Sequence, residues 1–362
     1  MHNRSIRRPM RAVALAAAAL TASALAACSG GGAPSPSSSA APDGLVLVTH
    51  DSFALSDGIL DDFTAQTGIA VDVQAIGDAG ELVNKLILTK DSPLGDVVFG
   101  IDNTFASRAA DAGVLEPYVS GALTSDEDRF RLTSGAAAES LTPIDSGDVC
   151  VNVDHRWFAE RGVPEPTGLD DLIDPRYKDL LVVEAASTSS PGLAFLLATI
   201  AAKGEDGWQD YWRALVANGV EVAGGWEDAY YADFSGPSSS GDRPLVVSYS
   251  SSPAAELTDP EEAAPTGVLA DTCFRQTEFA GVIAGTRNPA AARQLVDFLL
   301  SPEVQEDVPV SMYVYPVSQS VRLPETWAAA NVRIEHPYDL DPAEIDAHRE
   351  QWIDEWAAIA QP

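Results

Sequence analysis

A run of four hydroxyl side chains precedes a proline near the middle of the chain. The run occupies residues 187–190 and is followed directly by Pro191. Proline is well placed in the first turn of a helix, so we predict that a helix begins here. Hydroxyls and free backbone N–H groups at a helix N-terminus suit an anion or a ligand hydroxyl, which makes Ser189 and Ser190 candidate contacts. The alternative is ordinary N-capping, for which one of these side chains is enough.

Two aromatic residues with helical spacing form a second candidate site. Trp226 and Tyr230 lie four residues apart, after a pair of glycines and beside Glu227 and Asp228. This spacing places both rings on one face of a helical turn. Such rings can form a stacking platform for a flat or cationic ligand ring. Packing within the core is the alternative use of such a pair.

Three further candidate contacts lie beside predicted strands. His50 follows the first strand, Asp78 lies in a turn before a helix, and Tyr249 ends a later strand before a serine-rich turn. Ligands of α/β sheets bind where strands end, so all three are predicted to face a ligand. The alternatives are a surface histidine, a helix N-cap at Asp78 and a merely polar turn after Tyr249.

The chain carries no familiar catalytic or metal-binding motif. It has no GxSxG elbow, Walker loop, HExxH or GxGxxG after a strand, and no CxxC or HxxxH spacing. We therefore predict neither an enzyme nor a metal centre. A Ser/His/Asp arrangement assembled from distant residues is the remaining catalytic alternative, because triads are defined by geometry.

Alternating strand and helix patterns must position these residues. Apolar, β-branched runs predict strands at 45–49, 69–74 and 96–100, with helices at 59–67 and 79–89 between them. This order predicts a parallel sheet with helices on its faces. A second series begins near residue 142, and its predicted elements are strands at 148–153, 181–184 and 245–249, helices at 191–202 and 206–217, a strand and helix within 277–300, and a last helix from 342 toward 360. We predict an α/β fold with two hinged lobes rather than one large sheet.

The N-terminus has the pattern of an export signal. Four arginines precede an uncharged apolar run at 12–27, which ends in small residues just before Cys28. The pattern resembles a bacterial lipoprotein signal, with residues 1–27 removed and a lipid attached to Cys28. An ordinary secretory signal and a short membrane anchor are the alternatives, although the run is shorter than the ~20 residues a span requires. Residues 28–43 are rich in Ser, Gly, Ala and Pro and are predicted to be a flexible linker.

Charge and cysteine content narrow the partners further. The signal holds four of the 22 basic residues and none of the 54 acidic ones, so the remainder has a formal charge of −36. Such a chain repels nucleic acid and anionic headgroups and can attract a cationic ligand, although solubility alone can explain the charge.

Outside the cytoplasm, the simplest interpretation of Cys150 and Cys273 is a disulfide bond between them. Two buried free thiols are the alternative.

Taken in order, several segments resemble the thiamine-binding substrate-capture component of bacterial ABC importers. They are residues 50–54 (HDSFA), 95–103 (GDVVFGIDN), 142–145 (TPID), 188–193 (TSSPGL), 225–230 (GWEDAY), 248–249 with 252–253, and 315–317 (YPV). The resemblance runs from about residue 45 to 356. It implies a type II periplasmic-binding-protein fold, with two α/β lobes joined by a strand hinge. We expect one lobe from 44–141 with 275–330, the other from 142–274, and a C-terminal helical segment at 331–362.

The same resemblance implies roles for single residues. Trp226 and Tyr249 match the family's aromatic contacts, and Asp78 matches a carboxylate that faces the pyrimidine or the cation. Ser189 and Ser190 match the contact for the alcohol or phosphate end. His50 stands where the family often has Tyr, and Tyr313 stands where a Trp closes the pocket.

The function implied is capture of thiamine, or a thiamine phosphate, as a ligand rather than a cofactor. The partners implied are an ABC permease and its ATPase. We expect a monomer that is lipid-anchored on the outer face of the cytoplasmic membrane. The alternatives are a polyamine, ferric-iron or organophosphonate binder on the same fold, an extracytoplasmic hydrolase, and a surface adhesin.

Overall fold

The computed structural model describes residues 44–330, 332 and 334–361. The predicted signal, Cys28 and the linker up to residue 43 lie outside these residues. The strands are Leu45–Thr49 (β1), Val71–Ala75 (β2), Val97–Asp102 (β3), Leu141–Asp154 (β4), Leu181–Glu184 (β5), Glu221–Ala223 (β6), Leu245–Tyr249 (β7), Thr266–Val282 (β8) and Tyr315–Pro316 (β9). The α-helices are Ile59–Thr67 (α1), Ala79–Leu88 (α2), Ala106–Asp111 (α3), His155–Arg161 (α4), Ser190–Lys203 (α5), Trp208–Ala217 (α6), Ser252–Glu256 (α7), Pro289–Phe298 (α8), Pro302–Ser311 (α9), Glu325–Ala330 (α10) and Pro342–Ala360 (α11). Short 3₁₀ turns lie at Asp128–Phe130, Ala136–Glu139, Asp171–Ile173 and Pro175–Tyr177, and a π-helical turn lies at Asp228–Asp233.

Within the described residues the strands form one mixed sheet. Its order is β2-β1-β3-β8-β4-β7-β5-β6, with β9 paired to β4. β1 pairs in parallel with β2 and β3, and β5 pairs in parallel with β6 and β7. The predicted α/β class and the predicted parallel pairing of the first strands are therefore confirmed.

Two long antiparallel strands join the two halves of this sheet. β4 has 14 residues and β8 has 17, and β8 pairs with β3 on one side and β4 on the other. The sequence predicted only short pieces of each strand and favoured two lobes over one large sheet, whereas hydrogen bonding continues from one half to the other. Pro143 and Gly147 are weak strand formers, and the β4–β8 pairing overrides them with register shifts at 143/145 and 149/151.

Local sequence signals account for several helix ends. α1 ends at Gly68, whose φ of 75° is a left-handed cap that glycine adopts without strain. α5 begins after Ser189, whose hydroxyl accepts the N–H of Gly192, and α11 begins after the capping carboxylate of Asp341. None of the helices in the described part of the chain is long and apolar enough to cross a membrane.

Buried aromatic residues pack helices against one another within the cores on both halves of the sheet. Trp212 of α6 meets Trp356 of α11 edge to face, with ring centroids 5.6 Å apart. In the other half, Phe63 packs against Phe298 at 5.2 Å. The Sγ atoms of Cys150 and Cys273 are bonded at 2.05 Å, which ties β4 to β8. The sheet that positions the site is thus braced on both sides and across its middle.

Candidate functional site

A cavity of about 290 Å³ opens where the two halves of the sheet meet. Six of the eight predicted contact residues line it: His50, Asp78, Ser190, Trp226, Tyr249 and Tyr313. Other lining residues include Asp51, Glu227, Tyr231, Ser252 and Glu278, which were not among the predicted contacts. Residues far apart in the sequence therefore converge on one ligand-sized space.

Trp226 forms an aromatic wall of the cavity. Its indole Nε1–H donates to the Oγ of Ser248 at 2.9 Å, which fixes the ring edge. Tyr230 stacks on it, with centroids 5.0 Å apart and planes 17° apart, and does not line the cavity. Tyr231 approaches the same indole edge to face at 5.3 Å and does line the cavity. The predicted pair thus consists of one half-buried ring that lines the cavity and a second ring behind it.

Tyr249 and Tyr313 form the rest of the aromatic lining. The phenol oxygen of Tyr249 accepts a hydrogen bond from Gln276 Nε2 at 3.1 Å. Burial, followed by the charges of Glu278 and Asp78, raises the pKa of Tyr249 well above its usual value, so the phenol stays neutral. Tyr313 has a φ of 58°, and its carbonyl accepts the hydroxyl of Ser251 at 2.6 Å. Left-handed backbone at a non-glycine residue beside a cavity is typical of a functional position.

The two serines at the start of α5 have different surroundings. Ser189 is fully buried behind the lining, where its hydroxyl caps the helix. Ser190 lines the cavity, and its buried Oγ has no hydrogen-bond partner among the described residues. An unsatisfied buried hydroxyl beside a cavity favours a partner supplied by a ligand.

Asp78 connects three segments at the base of the cavity. Its Oδ1 accepts the N–H groups of Ala79 at 2.6 Å and Ser190 at 3.2 Å, and its Oδ2 accepts the N–H of Trp226 at 3.1 Å. Burial raises the pKa of Asp78, while the Ser189 hydroxyl and the N–H groups of Ala79 and Trp226 act in the opposite direction. Asp78 therefore caps α2, as the alternative sequence interpretation had it, and also lines the cavity.

His50 belongs to a buried chain of ionisable groups. Its Nε2 lies 3.6 Å from Glu278 Oε1. Burial lowers the pKa of His50, but the carboxylates of Glu278, Asp78 and Asp51 together more than offset this and raise it overall. Burial raises the pKa of Glu278, yet the charge of His50 and the polar contacts with His50 and Asp145 bring it below its usual value. The partner of His50 is thus a carboxylate and not a serine hydroxyl. His50 is therefore not arranged as the base of a Ser/His/Asp catalytic triad.

Asp145 completes that chain in the protonated form. Burial, followed by the negative charge of Glu278, raises the pKa of Asp145 well above its usual value. Asp145 lies opposite Glu278 in the β4–β8 pairing, and its raised pKa favours the protonated form, because two ionised carboxylates there would repel each other. Glu278 was missed by sequence reasoning, because it follows the polar residues 275–277 and its place beside the cavity depends on strand pairing between distant segments.

The lining is acidic. Four carboxylates face the cavity, and among the described residues that line it none is Lys or Arg. Burial, followed by the charges of Asp51 and Asp228, raises the pKa of Glu227. A cation that enters stabilises the ionised forms of Asp78 and Glu227, whose pKa values burial raises.

A ligand-sized cavity at strand ends, between two parallel groups of strands joined by long antiparallel strands, defines the class of extracytoplasmic solute-binding proteins. Residues 92–336 match the family of bacterial extracellular solute-binding proteins, and the chain belongs to this family. The type II periplasmic-binding fold is confirmed by likeness to solved members.

Relatives of known function resemble most of the chain. It is 28% identical over 320 residues to the thiamine-binding periplasmic protein of Escherichia coli (strain K12), covering 86% of this chain and 92% of the relative. A solved periplasmic thiamin binding protein has a TM-score of 0.75 and 25% identity, covering 89% of this chain and 99% of that one. A ferric binding protein from Campylobacter jejuni has a TM-score of 0.67 at 18% identity, covering 87% and 99%, and shares the fold.

Proposed function

We propose that the protein captures thiamine in this cavity and delivers it to an ABC importer. The observation that carries the proposal is the indole of Trp226 beside a set of carboxylates, in a cavity whose lining, as far as the structure describes it, holds no Lys or Arg. The likeness to thiamine-binding periplasmic proteins supports the same ligand. The proposed ligand is a transported solute, and the protein is not an enzyme.

The chemistry of the lining suits a thiazolium cation. The cation loses hydration when it enters, and the face of an aromatic ring returns about 0.5–2 kcal/mol. Carboxylates that are costly to bury unpaired gain a counter-charge at the same time. His50 neutralises Glu278, so the carboxylates left for the ligand are those of Asp51, Asp78 and Glu227.

Each predicted contact has a proposed role in this site. Trp226 and Tyr249 enclose the ligand rings, and Tyr313 closes the opposite side. Ser190 binds a polar atom of the ligand through its free hydroxyl. Ser189 and Tyr230 support these contacts from behind, because neither lines the cavity.

Transport requires the protein to close on its ligand and to remain near the permease. We assign one lobe to 44–141 with 275–330, the other to 142–274, and a helical C-terminal segment to 331–362. Closure of these lobes about β4 and β8 gives the permease and its ATPase a ligand-dependent shape to recognise. Cleavage before Cys28, a lipid on that residue and a linker at 28–43 hold a monomer at the outer face of the membrane.

A ligand screen by thermal shift tests the proposal on the full-length protein. Thiamine is predicted to raise the melting temperature in a saturable way, since ligand at 100 times Kd adds about 2.7 kcal/mol to the free energy of unfolding. Spermidine, ferric iron and a phosphonate are the comparison ligands. A clear response to one of these, with none to thiamine, would overturn the proposal. Turnover of ester substrates would favour the hydrolase.

A further inference from the structure

We infer that two side chains outside the cavity, Ser251 and Asp307, position the ring of Tyr313 against the ligand. The inference rests on the proposed function and adds two positioning residues to its site. Tyr313 is half-buried and lines the cavity, whereas Ser251 and Asp307 are buried and lie outside that lining. Three features carry the inference: the backbone of Tyr313, its hydrogen bond to Ser251, and the anchor that Asp307 supplies just before it.

The first feature is the strained backbone of Tyr313. Its φ of 58° lies in the left-handed region, and among the described non-glycine residues only Asp179 also has a positive φ. Aspartate tolerates this conformation through its short polar side chain, whereas a bulky aromatic residue does not. Such a backbone persists only where its surroundings hold it. The direction of the Tyr313 ring therefore depends on the groups that fix its peptide.

The second feature is a hydrogen bond that reaches Tyr313 from the other half of the sheet. Ser251 follows β7, which pairs with β5, and its hydroxyl donates to the carbonyl of Tyr313 at 2.6 Å. α9 ends two residues before Tyr313 and packs Val304 and Val308 into the core around β1 and β3. Ser251 is fully buried, so water cannot replace the bond. The bond thus joins the two halves at a residue that lines the cavity.

The third feature is a carboxylate that anchors the same segment from its own half. Asp307 Oδ2 accepts the hydroxyl of Ser311 at 2.9 Å and the backbone N–H of Ser56 at 2.8 Å. Its Oδ1 accepts the hydroxyl of Ser56 at 2.5 Å. Residues 50–54 and 311–314 line the cavity, so Asp307 ties together two lining segments that are distant in the sequence. The segment 311–314 is therefore held from both halves of the sheet.

A double-mutant cycle measured by isothermal titration with thiamine tests the role of Ser251. Ser251→Ala is expected to lower the affinity about 2- to 12-fold, the range that one hydrogen bond supplies. In a Tyr313→Ala background the same substitution is expected to cost almost nothing, because no ring remains to be positioned. Alanine keeps the carbonyl that Ser251 binds, so a role in folding alone would cost the same in both backgrounds.

Ser250→Ala is the matched control for this cycle. The Ser250 hydroxyl is buried, has no hydrogen-bond partner among the described residues and lies outside the lining. Its removal is expected to leave the affinity for thiamine unchanged.

Rescue by a conservative variant tests the role of Asp307. Asp307→Ala is expected to weaken thiamine binding by a similar factor. Asp307→Asn keeps an acceptor oxygen for the N–H of Ser56 and is expected to recover most of the affinity. Glu306→Ala removes an exposed carboxylate from the preceding position of α9 and is expected to leave the affinity unchanged. Thermal unfolding checks the fold of each variant, and the Ser251 cycle decides the matter if Asp307→Ala does not fold.

The outcomes separate this inference from the proposed function. Non-additive losses from Ser251→Ala and Tyr313→Ala, with rescue by Asp307→Asn, are the predicted result. Thiamine binding with additive losses, or with an affinity that Tyr313→Ala leaves unchanged, overturns the inference and leaves the function standing. Equal losses in Asp307→Ala and Asp307→Asn overturn the role of Asp307. Absence of thiamine binding by the wild type overturns both the inference and the function.

Discussion

The indole of Trp226 is stacked on the phenol ring of Tyr230, with centroids 5.0 Å apart and planes 17° apart. The hydroxyl of Tyr230 donates to Glu256 at 2.9 Å, so the rear ring is itself fixed. One face of the indole is covered by protein, and the ring presents what remains to the cavity. Tyr230 therefore acts on a ligand through Trp226.

Substitution of Tyr230 tests this positioning role. Tyr230→Ala is expected to weaken thiamine binding several-fold, because the indole loses a stacking partner worth about 0.5–1.5 kcal/mol. Tyr230→Phe keeps the stack and is expected to restore most of the affinity. Fluorescence titration measures both, and circular dichroism checks the fold. Equal losses in the two variants would show that the hydroxyl, rather than the stack, matters.

The His50–Glu278 pair predicts a pH window for stability. The raised pKa of His50 gives a stabilising contribution that is complete below its unfolded value and is lost as pH rises through its folded pKa. The lowered pKa of Glu278 gives a contribution that is lost as pH falls through its folded pKa. The pair should therefore stabilise the protein most at pH values between the folded-state pKa of Glu278 and the folded-state pKa of His50.

Glu278→Gln provides the direct measurement for that pair. Without the carboxylate charge, burial dominates and the pKa of His50 should fall below its usual value. An NMR titration of the imidazole signals measures this. Glu165→Gln is the matched control, because Glu165 contacts His155 at 2.7 Å and not His50. An unchanged His50 titration in Glu278→Gln would contradict the assigned pairing.

The proton assigned to Asp145 predicts unequal effects of two substitutions. Asp145→Asn keeps an N–H donor for Glu278 and should be nearly neutral for the free energy of unfolding. Asp145→Ala leaves the buried carboxylate short of a partner and should cost about 1–3 kcal/mol. Urea unfolding at neutral pH compares them. Asparagine as damaging as alanine would place the proton elsewhere.

The bond between Cys150 and Cys273 predicts a large effect of reduction. Both residues are fully buried, and they lie 123 positions apart in the sequence. Removal of a native disulfide that closes such a loop typically costs about 2–5 kcal/mol. Mass spectrometry of peptides from unreduced protein should find the two cysteines linked, and the melting temperature should drop after reduction. Alkylation of both thiols in unreduced, unfolded protein would contradict the bond.

Local signals in the sequence predicted the elements that depend on neighbouring residues. Pro191 predicted the start of α5 to within one residue, and Gly68 correctly predicted the end of α1. The full lengths of β4 and β8 were not predictable, because their pairing with distant strands overrides a proline, a glycine and several polar residues. Glu278 was missed for the same reason, since its meeting with His50 depends on a register that no local pattern encodes.

The aromatic site shows the same limit at a smaller scale. Helical spacing correctly placed Trp226 and Tyr230 side by side. The π-helical turn at Asp228–Asp233 changes the period, and the next tyrosine, Tyr231, lines the cavity instead. Whether each ring faces the cavity or lies behind it could therefore be determined only from the structure.

Isothermal titration of thiamine into the wild-type protein and Trp226→Ala tests the central claim most directly. The wild type should bind one thiamine per chain, and Trp226→Ala should lose at least the 0.5–2 kcal/mol of a cation–π contact, roughly 2- to 30-fold in Kd. Trp157→Ala is the matched control, because that ring packs under Arg161 on α4, away from the cavity. Saturable binding that only Trp226→Ala weakens is the predicted result. No thiamine binding by the wild type, or equal affinity in all three proteins, would contradict the account.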